Sequence, residues 1–312
     1  MKKSLLALAV LAASGAAMAQ SSVTLYGVAD AGLGKIELGS GGRSPGNDAS
    51  NKTEFISGSK MNNGDSRIGV RGVEDLGGGL KLSFNFESGL DMDNGATTTS
   101  AFWARQANLS LGGNWGTFKM GRASTPSYNG VAAWELTGAA NYSVVANTYN
   151  YAGSGSRNNS QFSYKTPGGL GGFSAEVGYV TKADNADRAK WDLNLIYANG
   201  PITASFAANK QKDEKTGYAL GAKYNFGSFV LAASYNDAHQ QRRGFTIGGT
   251  AKFGAFSVTA DIARDTKNVS GKKYTNFLLE GKYALSKRTF VYVAGLRVDS
   301  TNNYGIGVRH NF

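Results

Sequence analysis

The residues of this 312-residue chain that are best placed to do chemistry are arginines, which lie on either side of one long stretch without a strand pattern. The stretch runs from Ala123 to Ser156, with Arg105 and Arg122 before it and Arg157 directly after it. An irregular connection of this length in a compact domain is usually functional. Guanidinium groups remain protonated at any working pH and attract anions. The stretch contains one ionisable acid, Glu135, so the spacing indicates a cationic site beside a long loop.

Other reactive side chains suggest little chemistry. The two histidines, His239 in a predicted loop and His310 in the last predicted strand, lack a neighbouring serine and acid pair, which disfavours triad catalysis. The chain has no cysteine, so disulfides, thiol catalysis and thiolate metal sites are excluded. Two histidines without cysteine also disfavour a transition-metal site. Loop carboxylates such as Asp184 and Asp187 could hold a hard cation, but nothing else supports this. We therefore expect no enzymatic activity and no cofactor.

Composition indicates an aromatic, turn-rich, all-β protein. There are 43 glycines but only four prolines, and the 15 tyrosines and 16 phenylalanines argue against collagen and against disorder. The formal charge is +11, which invites a nucleic-acid interpretation. The basic residues are scattered singly, without a basic helix, zinc-finger spacing or RNA-recognition signature. Nucleic acid is therefore not an expected partner.

The first nineteen residues are typical of a secretory signal. Lys2 and Lys3 precede an apolar run, and Ala17-Met18-Ala19 has the pattern of a cleavage site. The apolar run is shorter than the roughly 20 residues that a membrane-spanning helix needs, so a helical anchor is the weaker alternative. We expect cleavage to leave a single domain, residues 20–312, which contains no transmembrane helix.

Alternating apolar and polar residues predict sixteen strands. In the first, Val23, Leu25, Gly27, Ala29 and Ala31 share one face, whose small residues suit contact with another subunit. Residues 37–66 are polar and glycine-rich and are predicted to be a loop. The predicted strands lie at about residues 23–33, 67–73, 80–87, 106–111, 117–122, 161–165, 173–179, 191–198, 202–210, 217–226, 229–236, 244–253, 256–264, 274–285, 289–299 and 304–312.

The connections between strands favour a closed transmembrane barrel over a soluble β-sandwich. Links of two to four residues, such as 199–201, 227–228 and 254–255, alternate with longer polar ones such as 182–190. Short turns at one end and long loops at the other are typical of outer-membrane barrels. The strand count is even, and aromatic residues lie beside the short turns, as an interfacial girdle would. Closure also avoids unpaired backbone groups in hydrocarbon.

These patterns together predict that the long stretch folds into the barrel. In that position it would lie opposite a wall of arginines and set the width and charge preference of a water-filled pore. The remaining class is a soluble exported binding protein, which extraction without detergent would reveal.

Several motifs, occurring in order along the whole chain, resemble the Gram-negative general porins of the betaproteobacterial and neisserial type. They are SSVTLYGVADAG at the start, SRIGVRGVEDLGGGLK, WGTFKMGR, YALSKRT and the ending GIGVRHNF. The resemblance implies a homotrimer of sixteen-stranded antiparallel barrels in the outer membrane, in contact with its lipid and lipopolysaccharide. It implies a third extracellular loop folded inward as a constriction, and passive diffusion of small hydrophilic solutes. The loop corresponds to the stretch that contains Ala123, Pro126, Trp134 and Ser156.

The resemblance also implies specific site residues. The basic constriction wall of the family falls on Arg67, Arg105 and Arg157, with Arg71, Lys81, Lys119 and Arg122 as further candidates. Strict alternation with Ala107 and Leu109 would turn Arg105 outward, so a bulge or strand end near Ala104 is needed to bring it inside. The family's acidic PEF-type motif is replaced by Ala133-Trp134-Glu135-Leu136, which leaves Glu135 as the single acidic partner in the loop. The alternation of Tyr304, His310 and Phe312 resembles the signal that the barrel-assembly machinery reads, and it is also simply the pattern of a last strand.

The expected function is therefore a general diffusion pore with a preference for anions that decreases as salt screens the arginines. The alternative is a substrate-specific channel for phosphate or carboxylates on the same barrel. A saturable, solute-blocked conductance would favour that alternative.

Overall fold

The structure, a computed structural model, describes residues 22–37 and 50–312. The predicted signal, residues 1–19, lies outside this part of the chain. The described residues form seventeen strands and two helices. The strands are β1 Ser22–Lys35, β2 Thr53–Ser57, β3 Arg67–Gly77, β4 Leu80–Gly89, β5 Gln106–Gly113, β6 Gly116–Ser124, β7 Arg157–Lys165, β8 Phe173–Val180, β9 Lys190–Asn199, β10 Ile202–Gln211, β11 Gly217–Asn225, β12 Phe229–Ala238, β13 Arg242–Phe253, β14 Phe256–Asn268, β15 Thr275–Ala284, β16 Thr289–Val298 and β17 Thr301–Asn311.

The strands form one closed antiparallel sheet. Each strand from β3 to β17 pairs with the next along the chain, and β1 closes the sheet by pairing with β17, where Val28 lies opposite Asn311. Gly27 and Phe312 add two backbone hydrogen bonds, of 3.0 and 3.1 Å, at this junction. Closure leaves no free sheet edge, which a chain surrounded by hydrocarbon requires.

The barrel wall contains sixteen strand positions because β2 and β3 share one of them. Both pair with the same edge of β1: Ala31 lies opposite Ser57 of β2, and Ser22 lies opposite Val73 of β3. Residues 58–66 interrupt this position and leave the wall. The predicted sixteen-stranded antiparallel barrel is confirmed, whereas the prediction that residues 37–66 are entirely loop is wrong at β2.

The two faces of the wall differ as the alternation predicts. On β12, Leu231 and Tyr235 are exposed on the outer surface, while Ser234 and Asn236 between and beside them are buried on the inner side. Exposed leucine, isoleucine, valine and phenylalanine side chains occur on strands around the barrel. Apolar side chains therefore point away from the barrel axis and polar side chains point toward it, which is the arrangement of a membrane barrel.

The connection between β6 and β7 contains both helices. We call residues 125–156 the inner segment. Helix α1 (Pro126–Trp134) begins at Thr125, whose side chain accepts a hydrogen bond from the Tyr128 backbone N–H, and Pro126 occupies the first turn, where its missing N–H costs nothing. Helix α2 (Val144–Tyr149) ends at Asn150, which adopts a left-handed conformation. Within residues 22–37 and 50–312, neither helix is long and apolar enough to span a membrane.

Candidate functional site

The first half of the inner segment is fixed to the polar side chains of β9 and β10. Asp192 accepts hydrogen bonds from the Ser127 backbone N–H and from Ser127 Oγ, both at 2.7 Å, and from Ser154 Oγ. A single buried carboxylate therefore binds both ends of the inner segment. Asn194 Nδ2 donates to the Pro126 carbonyl at 2.8 Å, and Ser205 Oγ donates to the Gly130 carbonyl at 2.6 Å. Since these wall residues belong to the polar face, the segment lies against the inner side of the barrel.

The second half of the inner segment contacts a different part of the wall, at β14 and β15. Tyr149 Oη donates to the Arg264 carbonyl at 2.8 Å, and Asn276 Nδ2 donates to Thr148 Oγ1 at 3.0 Å. Trp134, at the end of α1, is buried against Gly221 of β11, where a Cβ atom would lie 2.2 Å from the indole ring. The apolar core of the molecule is formed mainly here, between the inner segment and the wall.

Residues 58–66, which we call the second inner segment, are also buried inside the barrel. Asp30 of β1 holds them: its carboxylate accepts from Gly64 N at 2.8 Å, from Asn62 Nδ2 at 3.2 Å and from Tyr292 Oη at 2.6 Å. Asn141 of the inner segment donates to the Ser59 carbonyl at 2.9 Å. The two inner segments are therefore connected to each other as well as to the wall.

Four arginines meet beside these two segments. We call Arg67, Arg105, Arg157 and Arg309 the arginine cluster, because their side chains line one cavity. The inner segment contributes Tyr128, Ala139 and Asn141 to the lining of the same cavity, and the second inner segment contributes Asn63, Gly64 and Asp65. The structure therefore brings Arg67, Arg105 and Arg157 together beside the inner segment, and their role in a constriction stays a prediction.

Two carboxylates, Asp65 and Glu87, pair with part of the cluster. Arg105 Nε donates to Glu87 Oε1 at 2.7 Å and Arg105 Nη1 donates to Asp65 Oδ2. Arg67 Nε lies 3.5 Å from Glu87 Oε2, and Arg67 Nη1 donates to the Asp65 carbonyl at 3.0 Å. Asn141 Nδ2 orients the other Asp65 oxygen with a hydrogen bond of 2.8 Å. These contacts hold Arg105 between two acids.

The other two arginines donate hydrogen bonds to neutral groups. Arg309 Nη1 donates to Asn63 Oδ1 at 2.8 Å. Arg157 Nη1 donates to Ser156 Oγ at 3.3 Å, and its buried Nε has no hydrogen-bond partner among the residues that the structure describes. Asp30 lies opposite Arg309 in the β1–β17 register and adds a third negative charge within reach of the cluster. Four guanidinium groups therefore face three carboxylates, which leaves the cluster with an excess of positive charge.

The position of Arg105 resolves the conflict in the alternation. Strand β5 begins at Gln106, so Arg105 precedes the strand and is not bound by its alternation. The Arg105 backbone N–H donates to the Glu87 carbonyl at 3.0 Å, which turns the side chain toward the interior. A strand end therefore brings Arg105 inside, which is one of the two possibilities that the sequence left open.

The further basic candidates do not join the cluster. Arg71 lies over the Tyr26 ring, 5.0 Å from its centroid, and lines a separate inner cavity together with Lys119. Lys81 lines a third cavity beside the short turns. Arg122 lies opposite Ala107 and donates to the Ala104 carbonyl and to Asn159 Oδ1. Arg71, Lys81 and Lys119 can contribute charge along the passage, but the structure does not bring them to the arginine cluster. The prediction for Arg122 is wrong, because its pairing with Ala107 places it on the outward face of the wall.

Glu135 is not the acidic partner of the arginines. Its carboxylate accepts hydrogen bonds from the Thr137 backbone N–H at 2.9 Å, from Thr137 Oγ1 at 2.7 Å and from the Ala139 backbone N–H at 2.7 Å. It therefore shapes the turn that follows α1. Its charged neighbours include Lys223 and Asp261, on strands remote from Arg67. Asp65 and Glu87 occupy the role that the sequence assigned to Glu135.

Sequence reasoning missed three charged residues of the site. Alternation places Glu87 on the polar face of β4 and Arg309 on the polar face of β17, so parity could have drawn attention to both. Asp65 lies in the second inner segment, where no periodicity predicts its position. Its role depends on contacts with distant parts of the chain.

Burial inside the barrel also affects ionisable groups on the two inner segments. Burial lowers the pKa of Lys60 to about 8, although the negative charge of Asp299 opposes the change. Burial is also the main reason why the pKa of Tyr142 is raised well above its usual value, so Tyr142 remains a neutral phenol that accepts a hydrogen bond from Asn63 Nδ2 at 2.7 Å. Lys60 does not line the cavity of the arginine cluster, so the positive charge around that cavity comes from arginine.

The histidines do not assemble a catalytic site. His239 Nδ1 lies 3.0 Å from Glu214 Oε2, its Nε2 is hydrogen-bonded to Asn209, and burial lowers the pKa of its ring. His310 Nδ1 is hydrogen-bonded to Thr289 Oγ1 at 2.8 Å. In the described ranges, no group of three or more histidine, cysteine, aspartate or glutamate residues could hold a metal ion.

The predicted assembly residues all lie on or directly after β17. Tyr304 Oη is hydrogen-bonded to Thr53 Oγ1 at 2.7 Å, and the Phe312 ring covers Gly27, where a Cβ atom would lie 2.3 Å from Phe312 Cζ. Phe312 therefore contributes to closing the barrel. Its recognition during assembly stays a prediction.

A closed polar-lined barrel, partly filled by inner segments and bordered by arginines, defines a membrane channel. The model of the Gram-negative porin family matches residues 5–303, so the chain belongs to that family. It is an outer-membrane channel protein and not an enzyme, as the sequence predicted.

Relatives and solved structures agree with this family. Outer membrane porin protein 32 of Delftia acidovorans is 38% identical over 247 residues, covering 73% of this chain and 67% of that protein. Major outer membrane protein P.IB of Neisseria gonorrhoeae is 31% identical over 218 residues, covering 68% and 58%. The solved structure described as an anion-selective porin from Comamonas acidovorans is similar with a TM-score of 0.75 at 26% identity, covering 94% of this chain and 100% of that one.

Proposed function

We propose that the chain is a general diffusion pore for small hydrophilic solutes that prefers anions. The arginine cluster and the inner segment form its constriction. The observation that carries the proposal is that four guanidinium groups line one cavity, while three carboxylates, those of Asp65, Glu87 and Asp30, lie beside them. The similarity to a structure described as an anion-selective porin supports it.

The preference follows from charge in a narrow passage. Two unit charges about 4 Å apart interact by about 1 kcal/mol in water and about 4 kcal/mol at an intermediate dielectric constant. Since about 1.4 kcal/mol is a tenfold factor, the uncompensated positive charge suffices for a measurable preference. Salt screens exposed charges over about 10 Å at 0.1 M, so the preference decreases as ionic strength rises.

Reversal potentials in planar lipid bilayers test this function. Under a potassium chloride gradient, the sign of the potential should indicate chloride preference, and Arg67→Ala should reduce it. Lys287→Gln, in the exposed short link between β15 and β16, changes the net charge of the chain by the same amount and should leave the potential unchanged. A cation-preferring wild-type pore would refute the proposal.

A specific anion channel is the second candidate, and one atom favours it. The buried Nε of Arg157 lacks a hydrogen-bond partner among the described residues, and a phosphate or carboxylate in the cavity would supply one. Conductance that saturates with phosphate, and chloride current that phosphate blocks, would favour this candidate. Linear conductance without block would favour general diffusion.

Three features of assembly belong to the same proposal. We expect a homotrimer that contacts neighbours through the small outer residues of β1, cleavage of the signal after Ala19, and recognition of Phe312 by the barrel-assembly machinery. One of the fold relatives is described as a trimer form of OmpT of Vibrio cholerae. Cross-linking before and after heating, together with N-terminal sequencing of the exported protein, would test the first two features.

A further inference from the structure

A polar trough runs along the inner side of the wall from β3 to β6. It consists of two adjoining cavities, each of about 410 Å³, that share Val73 and Ser83 in their linings. The upper cavity reaches Asn129 of α1, and the lower cavity reaches Asn114 in the short link between β5 and β6. The trough therefore extends from the inner segment to the end of the barrel that carries the short links, which in outer-membrane barrels faces the periplasm.

The strand register arranges the floor of the trough in three rows of inward side chains across β4, β5 and β6. From the inner segment toward the short links, the rows are Asn85 with Asn108, Ser83 with Ser110 and Lys119, and Lys81 with Gly112 and Thr117. Directly opposite residues of antiparallel strands share a face, and successive rows are two residues, or about 7 Å, apart. Two serine hydroxyls therefore lie at the centre of the floor.

Three cations border this floor at different heights. Arg71 lies beside the upper row, Lys119 belongs to the middle row and Lys81 to the lower row. The Arg71 guanidinium stacks on the Tyr26 ring, 5.0 Å from its centroid, which restricts its direction. In the described part of the chain, none of the three cations forms an ion pair. Each can therefore donate hydrogen bonds to a bound anion.

Acidic side chains lie near the trough but do not line it. Asp75 is opposite Lys81 in the β3–β4 register, but its carboxylate accepts a hydrogen bond from the Gly77 backbone N–H at 2.9 Å. Glu87 pairs with the arginine cluster, and Glu176 lines a different cavity. The lining itself therefore carries three positive charges and no negative one.

The serine hydroxyls of the floor are available to a ligand. Among residues 22–37 and 50–312, the side chains of Ser83 and Ser110 have no hydrogen-bond partner. A hydroxyl group both donates and accepts hydrogen bonds, so each serine can pair with a hydroxyl of a ligand. Asn108 Nδ2 donates to Gln106 Oε1 at 2.9 Å and to the Arg122 carbonyl at 3.0 Å, which leaves Asn108 Oδ1 as a further acceptor.

Cations beside unpaired hydroxyls have the chemistry that recognises a phosphorylated sugar. Phosphate oxygens accept charge-assisted hydrogen bonds from Arg71 and Lys119, and sugar hydroxyls exchange hydrogen bonds with Ser83 and Ser110. Inorganic phosphate can use only the cations, and a neutral sugar can use only the hydroxyls. A compound that carries both groups should therefore bind more tightly than either.

We propose that this trough is a binding site for sugar phosphates inside the barrel. The phosphate lies between Arg71 and Lys119, and the sugar ring lies over Ser83 and Ser110. The proposal rests on the proposed pore, since the ligand must enter the lumen, but it does not rest on the anion preference of that pore. A pore that conducts ions without being blocked by sugar phosphate would contradict this site alone, whereas a barrel without conductance would contradict the pore.

Block of the chloride current by glucose 6-phosphate in planar bilayers tests the proposal. In the wild type, half-block should need about tenfold less glucose 6-phosphate than inorganic phosphate or glucose. Ser83→Ala with Ser110→Ala should remove this difference without changing the charge of the lumen. Ser174→Ala with Ser257→Ala, which removes two inner-face hydroxyls on β8 and β14, is the matched control and should be blocked as the wild type is.

A second pair of variants tests the cations. Lys119→Gln and Lys252→Gln each remove one inner-face lysine near the short links, on β6 and β13. Only Lys119→Gln should raise the half-blocking concentration of glucose 6-phosphate, by about tenfold, because charge-assisted hydrogen bonds to phosphate are lost. Heat-modifiable migration on gels verifies that each variant is a folded barrel, and single-channel conductance verifies an open pore.

Three results would overturn the site. The first is equal block of the wild type by glucose 6-phosphate and inorganic phosphate. The second is a serine variant that keeps the full difference, or a serine control that loses it equally. The third is an equal effect of Lys119→Gln and Lys252→Gln, because the summed charge of the lumen, and not the trough, would then determine block.

Discussion

Removing one charged group at the arginine cluster should change the ion preference of the pore, and the sign of the removed charge should determine the direction of the change. Arg157→Gln removes a cation with neutral hydrogen-bond partners, and Asp65→Asn removes an acid that pairs with Arg105. Asp65→Asn conserves side-chain shape, whereas Arg157→Gln shortens the side chain and keeps it polar. We expect Arg157→Gln to lower the ratio of chloride to potassium permeability and Asp65→Asn to raise it.

The magnitude follows from the distance at which an ion passes. One unit charge changes the energy of an ion about 8 Å away by about 0.5 kcal/mol in water, and about 4 Å away by about 1 kcal/mol. The change has opposite signs for chloride and potassium, so the permeability ratio responds to twice this energy, about 1–2 kcal/mol. Screening at about 0.1 M salt reduces the effect. We therefore expect a threefold to fivefold change, with about 1.4 kcal/mol corresponding to tenfold.

The double variant provides the decisive comparison. Arg157→Gln with Asp65→Asn restores the net charge of the cluster, so its reversal potential should return close to the wild-type value. The assay is the zero-current potential across a planar bilayer under a tenfold potassium chloride gradient, with single-channel conductance recorded for each variant.

Two results would refute the reasoning. If Asp65→Asn lowered chloride preference, the acid would not be acting as a counter-charge within the passage. If the double variant differed from the wild type as strongly as a single variant does, then geometry, and not summed charge, would govern selectivity. Unchanged conductance in all three variants would exclude a displaced inner segment as the cause.

Two further predictions concern the segment and the titration of the site. Asp192→Ala should release both ends of the inner segment, because the hydroxyls of Ser127 and Ser154 lose their acceptor. We expect the free energy of unfolding to fall by about 2 kcal/mol in thermal unfolding and the current noise to increase in single-channel recordings. Asp192→Asn, whose side-chain oxygen still accepts hydrogen bonds, should have a smaller effect in both measurements. Chloride preference should remain constant from about pH 6 to about pH 9, since guanidinium groups do not titrate there. A decrease in chloride preference as pH rises through 8 would instead implicate Lys60. Burial lowers the pKa of Lys60 to about 8, so this side chain loses its charge above that pH.

The two inner segments occupy part of the barrel interior, and under the proposed function they narrow the passage. Asp192 fixes the inner segment at both ends, and Asp30 fixes the second inner segment beside it. Through Asn141 and Asp65, the two segments meet at Arg105. The position of the arginines is therefore coupled to two anchors on distant strands.

The amino-acid sequence alone determined the barrel, because its signals are local and repeated. Alternation with a period of two assigns side chains to the outer or inner face strand by strand, as at Leu231 and Ser234, and short links fix antiparallel neighbours. The same rule assigned Arg67 and Arg157 to the interior. The absence of alternation before Arg157 also predicted that this stretch is a functional loop and not a strand.

The tertiary structure alone decided which charges meet. Arg105 precedes its strand, so its direction follows from a hydrogen bond to Glu87 and not from alternation. Glu135 turns back onto its own loop, whereas Asp65, in a segment without pattern, becomes the partner of Arg105. The physical reason is that irregular segments take their paths from contacts between residues far apart in the chain, and no local periodicity encodes those contacts.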